Sequence, residues 1–251
     1  MHRIMLTDPL PPAPGGTIAV EGEEAHHAAR SKRLEPGDRV ELLDGQGSVA
    51  DGEIVEIVKL GKQGGRRAGG SSAWAVRTRI IAVDRRPPTA PALGVLSAVP
   101  KGPRLEAMVD QLSQVGAASW SPLASERSVV DPREGKLHRL GRVASESAKQ
   151  AGRAWTMSIG RAARLADALG SGIVVADASG EAYEPSGASE ITLLVGPEGG
   201  WAAAELEAAH EAGATVASFG VHTMRIETAA PVAAGIVLEA ERGLGSKGGS
   251  R

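Results

Sequence analysis

The sequence predicts an α/β protein with a mostly parallel sheet, preceded by a small barrel of short β-strands. Three observations carry that reading. Beyond residue 92, apolar runs alternate with helical patterns, the arrangement that builds a parallel sheet with helices on its faces. The first 85 residues instead hold short alternating runs separated by Gly-rich turns. Between them lies Arg85-Arg86-Pro87-Pro88-Thr89-Ala90-Pro91, whose prolines neither donate to a ladder nor continue a helix. The chain therefore divides into 1–86, a linker at 87–91, a second domain at 92–242 and a tail at 243–251 expected to be disordered.

In the first region Thr17 to Val20 reads as a strand, as does Arg39 to Leu43, which is turned by Asp44-Gly45-Gln46-Gly47. A further run spans Glu53 to Lys59. Trp74 to Val83 places Trp74, Val76, Thr78 and Ile80 on one face and Ala75, Arg77 and Arg79 on the other, a half-buried strand with a basic outer side. Gly61 to Ser72 is rich in Gly, Ser and Arg and reads as a mobile loop.

In the second region Leu93 to Val99 is an apolar run suited to a buried parallel strand. Pro103 opens a helix that carries Leu105, Met108, Leu112 and Val115 at helical spacing and stops at Gly116. A second helix is expected from about Lys136 to Ala151. Strands follow at Gly172 to Ala176 and Ile191 to Val195, then a helix from Ala202 to Ala212. The run Thr215 to Phe219 and a helix over Ala230 to Glu241 complete the pattern.

Composition narrows the chemistry. There are 251 residues, 42% apolar but with one Phe, one Tyr and four Trp, so Ala, Val and Leu must build most of the core. The lack of cysteine excludes disulfides, thiolate catalysis and Cys-ligated metal. No signal-peptide pattern opens the chain and no run nears 18 apolar residues, so a cytoplasmic soluble protein without a membrane partner is expected. The net charge of −2 hides an asymmetry. Eight Lys/Arg face one acid between Lys59 and Arg86, and eight face two acids between Arg133 and Arg164. Seven Glu and no cation lie between Glu181 and Glu211. Such clustering suits a polyanionic partner on the basic side.

The most informative segments are Leu193-Leu194-Val195-Gly196-Pro197-Glu198-Gly199-Gly200-Trp201 and Phe219-Gly220-Val221-His222-Thr223-Met224-Arg225-Ile226-Glu227-Thr228. Each is an apolar strand followed by a Gly-opened loop and a helix. An open α/β sheet places its ligand against such loops, at the carboxyl ends of its strands. Together with GEEAHH (22–27), the DGQG turn (44–47), SAVPKG (97–102), PLASERS (122–128) and SAKQAGR (147–153), these segments resemble the bacterial small-subunit (16S) ribosomal RNA uridine-N3 methyltransferases of the SPOUT superfamily. The resemblance implies a PUA-like RNA-binding barrel at 1–86 and a SPOUT domain with a trefoil knot at 92–242. It also implies S-adenosyl-L-methionine as cofactor, ribosomal RNA or the small ribosomal subunit as partner, a homodimer and no metal. The sequence departs from the family pattern at His222, where Arg is usual, and at Ala202, where Ser or Thr is usual. Arg30-Ser31-Lys32-Arg33 is a further departure, because the family favours an apolar pair before its Arg.

Methyl transfer to an imide nitrogen needs alignment and a proton acceptor or charge stabiliser, not a metal or a covalent intermediate. The resemblance places Leu194, Val195, Gly196, Pro197, Glu198 and Gly199 on one wall of the cofactor pocket. It places Phe219, Gly220, Val221, His222, Thr223, Met224 and Arg225 on the other. Arg225 is the leading catalytic candidate, stabilising charge on the uracil oxygens, and Glu198 and Glu227 are candidate proton acceptors or braces for Arg225. Arg127 and Arg153 are expected at the substrate entrance, and Arg30, Lys32, Arg33, Arg77 and Arg79 on RNA. His27 reads as structural, since no other metal-type residues accompany it. Two readings compete with this one: methylation of another RNA position by the same fold, and a non-catalytic RNA-binding or ribosome-assembly protein. Presence of Gly196, Glu198, Gly199, Arg225 and Glu227 speaks against the latter.

Overall fold

The computed structural model describes residues 1–11, 13–60, 74–128, 134–170 and 172–248. The expected loop at 61–72 lies outside them. The chain forms two compact units, one of residues 1–87 with 149–155, the other of residues 88–148 with 156–251.

In the first unit the strands are β1 (His2–Met5), β2 (Thr17–Glu21), β3 (Arg39–Leu43), β4 (Ser48–Lys59) and β5 (Trp74–Arg85). They hydrogen-bond in the order β1-β3-β4-β5-β2. Ala75, expected on the outer side, is buried, but beyond it alternation decides which face is covered: Val76, Thr78 and Ile80 are buried and Arg77 and Arg79 are exposed. With Ile4, Val40, Leu42 and Ile54 they form the core. The segment beginning GEEAHH, read only as a motif, folds as α1 (Gly22–His26) and continues into a wider turn at His27–Ser31. There Lys32 N–H reaches back five residues to the His27 carbonyl at 3.0 Å. The Asp44 turn forms as expected, with Asp44 accepting the Gln46 N–H at 2.8 Å and the Ser48 N–H at 3.0 Å.

Residues 149–155, the first three of which end the preceding helix as periodicity expects, pack with this first unit. Lys149 pairs with Glu24, Arg3 donates to the Gln150 carbonyl at 2.8 Å, and Gly47 N–H to the Ala154 carbonyl at 2.8 Å. Trp155 lies over Gly47 so closely that a Cβ there would fall 2.5 Å from the indole.

The second unit contains β6 (Ala92–Ser97), α2 (Arg104–Val115), β7 (Ser119–Ala124), α3 (Glu134–Ala151), β8 (Ser158–Ile159), β9 (Ala163–Arg164), α4 (Leu165–Ala168), β10 (Ile173–Ala182), β11 (Glu190–Val195), α5 (Ala203–Glu211), β12 (Thr215–Ser218) and α6 (Ile226–Gly248). The strands run β12-β10-β11-β6-β7-β8, every pairing parallel, and β9 pairs with β7. Gly116 ends α2 at φ 115°, a left-handed conformation that glycine adopts without a Cβ penalty. The core is Leu93, Val95, Leu105, Met108, Leu112, Leu140, Leu193 and the inner face of α6. Fully buried Trp120 donates to Ser97 Oγ at 2.9 Å, so its one polar atom is satisfied. Contrary to the expected disordered tail from 243, α6 continues to Gly248, because Glu239, Ala240, Glu241 and Arg242 are helix formers that propagate an existing helix past Gly243. Residues 249–251 lie outside the described residues.

Candidate functional site

The carboxyl ends of the parallel strands β11 and β12 and the middle of β10, which lies between them, meet around a cavity of about 270 Å³. Val195, Gly196, Pro197, Glu198, Gly200 and Trp201 form its first wall, and Ser218, Phe219, Gly220, His222, Thr223 and Met224 its second. Ala176, Asp177 and Ala178 add a third, and Ile226, Ala229 and Ala233 of α6 form an apolar floor. A mostly apolar cavity with a few polar groups is the usual form of a small-ligand site.

The first wall is rigidly held. Gly200 turns at φ 72° and its N–H closes on the Pro197 carbonyl at 2.8 Å. Trp201 lies across Gly196, where a Cβ would meet the indole at 2.8 Å, and donates to the Ala176 carbonyl at 3.0 Å. One indole thus ties the first wall to the third. Arg127 donates to the Gly199 carbonyl at 2.7 Å, and Glu205 accepts both Ala202 N–H at 2.9 Å and Glu126 N–H at 2.8 Å. The Ala202 methyl has no oxygen with which to cap α5, and Glu205 supplies the reciprocal half of a capping box instead. In the second wall the Arg225 carbonyl accepts Thr228 N–H at 2.9 Å and Ala229 N–H at 2.8 Å, starting α6.

Of the residues expected on the cofactor, Val195, Gly196, Pro197, Glu198, Phe219, Gly220, His222, Thr223 and Met224 line the cavity. Leu194 is fully buried in the core beneath, Val221 is 93% exposed, and Gly199 and Arg225 are not among the lining residues. Arg225 is exposed between two lining residues, Met224 and Ile226. Among the described residues its guanidinium has no hydrogen-bond or ion-pair partner. Glu227 does not brace it: its carboxylate pairs with Arg104 at 3.5 Å, with Oε2 buried and lacking a hydrogen bond.

The third wall was missed by sequence reasoning. Asp177 is its charged member, its Oδ1 accepting Ser179 N–H at 2.9 Å and Ser179 Oγ–H at 2.7 Å. The apolar run Gly172 to Ala176 was a usable signal, because a third parallel strand paired between the other two must pass beside their ends.

The expected RNA contacts separate into groups. Arg77 pairs with Glu56 at 3.1 Å and Arg79 with Glu53 at 2.8 Å across β4 and β5. Arg30 on the wide turn and Lys32 and Arg33 just after it are exposed, with no ion-pair partner among the described residues. Arg127 holds the first wall of the cavity. Arg153 is half-buried within the first unit, and burial lowers its pKa. Among the described residues no group of three His, Asp or Glu is placed to hold a metal ion, and no helix is long and apolar enough to cross a membrane.

A glycine-walled cavity set against adjacent parallel strands defines a small-ligand site of the α/β class, and the family models say which transferase class carries it. Residues 88–238 match the family model of the RNA methyltransferase domain, and residues 20–61 that of the RNA methyltransferase PUA domain. The ribosomal RNA small subunit methyltransferase E of Mycobacterium tuberculosis is 31% identical over 251 residues, covering 93% of this chain and 90% of the relative. The chain belongs to the ribosomal RNA small subunit methyltransferase E family. Its fold matches two solved structures, each bound to the cofactor SAM, S-adenosyl methionine. The methyltransferase E of Neisseria gonorrhoeae superposes at a TM-score of 0.76, with 21% identity and 97% and 98% of the two chains covered. A Legionella pneumophila methyltransferase gives 0.73, with 22% identity and 95% and 96% covered.

Proposed function

We propose that this chain transfers the methyl group of S-adenosyl-L-methionine to N3 of a uridine in small-subunit ribosomal RNA. The cavity is the observation that carries the reading. Its size, its backbone-rich walls and its aromatic faces at Phe219 and Trp201 suit an adenosine-like ligand, and Gly196 and Gly220 keep it open where a Cβ would meet Trp201 or Met224. When bound, the cofactor supplies a methyl group already activated on a sulfonium. The residues of the chain then do the rest. Loop N–H and carbonyl groups of the first two walls would hold the adenosine portion, and Asp177 is the lining carboxylate that would accept from its hydroxyl or amino groups. The Glu198 carboxylate, exposed at the cavity, would take the imide proton and so leave on N3 the lone pair that accepts the methyl group. Arg225 stabilises the negative charge spread onto the uracil oxygens. Glu227 is better placed to anchor the start of α6 through Arg104 than to move a proton.

The same reading takes residues 1–86 as the PUA-like RNA-binding domain, 87–91 as linker and 92–242 as the SPOUT domain with its trefoil knot. It also takes the protein as a cytoplasmic homodimer. The groove lined by Val115 on α2 and by Pro231 and Val232 on α6 supports the dimer, because Val115 and Val232 stand exposed there.

The test is incubation with labelled cofactor and 30S subunits lacking the modification, followed by nucleoside analysis. Labelled 3-methyluridine is the expected product. A different labelled nucleoside would keep the enzyme class and overturn the atom of attack; no label and no cofactor binding would favour a non-catalytic RNA-binding protein. Arg225→Ala is expected to lower kcat on the order of 10²-fold with cofactor affinity unchanged, as for loss of one charge-stabilising group.

A further inference from the structure

Tyr183 and Phe219 are the sole tyrosine and sole phenylalanine of the chain, and they stack on one another with ring centroids 5.7 Å apart and planes 25° apart. Phe219 is a wall of the cavity. Tyr183 is not, but its hydroxyl donates to Glu241 Oε1 at 2.6 Å. Glu241 sits on α6, only 6% exposed, and its carboxylate also accepts Ser186 N–H at 2.8 Å, Ser186 Oγ–H at 3.1 Å and Gly187 N–H at 2.8 Å. Burial alone pushes this carboxyl up, but the hydrogen bonds together outweigh it and hold Glu241 below the usual carboxylate range. Burial first, and then the adjacent carboxylate, hold the Tyr183 phenol well above its ordinary range, so it remains a donor.

This arrangement joins two parts of the cavity. Helix α6 supplies the floor through Ile226, Ala229 and Ala233, and through Glu241 it fixes the ring behind the Phe219 wall. Phe219 immediately precedes Gly220, which has no side chain of its own to pack. The ring orientation therefore depends on what lies behind it. We propose that Tyr183, fixed by Glu241, is a positioning residue for the cofactor: it sets the Phe219 ring as a flat face against which the adenine stacks. The proposal rests on the methyltransferase reading above. Because the Glu241 carboxylate also pins the 183–187 loop through Ser186 and Gly187, the test reads the ligand and not stability alone.

The full-length chain is produced with 3-fluorotyrosine, which gives a single fluorine resonance, and is titrated with S-adenosylhomocysteine while the same samples are followed by calorimetry. The resonance is expected to shift and to saturate at the calorimetric Kd. Tyr183→Leu is expected to raise the cofactor Kd and KM about three- to tenfold, the range of an aromatic pair, with the KM for RNA unchanged. Tyr183→Phe keeps the ring and recovers most of that affinity. An unmoved resonance at full calorimetric saturation overturns the proposal, as does an unaltered Kd in Tyr183→Leu. If Tyr183→Leu fails to fold, the wild-type resonance still decides. Absence of calorimetric binding in the wild type overturns the methyltransferase reading itself, and this proposal with it.

Discussion

Gly196 shows how far a single hydrogen atom decides this site. A methyl group there would stand 2.8 Å from the Trp201 indole, which is itself held by its bond to the Ala176 carbonyl. Either the indole leaves that carbonyl or the first wall shifts. Gly196→Ala is therefore expected to cost about 1–3 kcal/mol, the range for overpacking, and to abolish measurable cofactor binding by calorimetry. A variant with wild-type melting temperature and affinity would contradict the geometry. Asp44 decides a turn in the same way. Burial pushes its carboxyl up, but N–H groups of Gln46, Ser48 and Leu10 outweigh this and hold it below the ordinary aspartate value of 3.8. A depressed folded-state pKa means stability present above the unfolded value and lost as pH falls through the folded one. Asp44→Asn is thus expected to lower the urea midpoint at pH 7, by about 1–3 kcal/mol in stability. Below about pH 4 the gap between variant and wild type should narrow. A gap that stays constant from pH 7 to pH 3 would remove the ionised carboxylate from the account.

At the scale of elements, α5 starts without a capping side chain, and Glu205 makes up the loss from inside the helix. Its two oxygens hold Ala202 N–H and Glu126 N–H, so it also joins the Arg127 loop to the first wall. Glu205→Ala should destabilise the second unit by about 1 kcal/mol, the worth of a cap, and raise hydrogen exchange at Ala202 and Glu126 before the rest of α5. Uniform exchange along α5 would mean that the cap matters less than helix packing. The two glycine loops were legible because each broke an apolar run at a strand end, a local pattern. The third wall was less so: β10 continues to Ala182, past the apolar run that ends at Ala176, and its pairing with β12 shifts register between Ala176 and Glu181. Gly180 allows the shift, since a Cβ there would fall 2.4 Å from the Val216 carbonyl. No local rule announces such a bulge, because its cause is the neighbouring strand. Periodicity carried α3 correctly through to Ala151, but no local pattern announces that the contacts of Lys149 and Gln150 belong to the first unit.

On the scale of the whole molecule, charge is legible in sequence but its availability is not. Arg77 and Arg79 occupy the outer face of β5 as their alternation requires, yet each is matched by a glutamate on β4, a relation visible only once the strands pair in register. Exposed pairs of this kind add little stability, but they do lower the positive potential available to a phosphate. Arg30, Lys32 and Arg33 carry no such partner among the described residues, and the wide turn and the residues just after it present all three to solvent, with Arg33 at φ 53°. RNA affinity should therefore draw on these three more than on the β5 pair. Each phosphate contact contributes a slope of roughly −0.7 to −0.9 to the dependence of log affinity on log salt. Replacing Arg30, Lys32 and Arg33 together by Gln should flatten that slope by about two units and weaken binding most at low salt, while cofactor affinity stays unchanged. The paired change Arg77→Gln with Arg79→Gln should move the slope by less than one unit, since it releases Glu53 and Glu56 as well as removing two cations. Fluorescence anisotropy with a labelled ribosomal RNA fragment between 50 mM and 300 mM salt reads both variants. Equal flattening in the two would place the RNA along β5 and overturn the ranking.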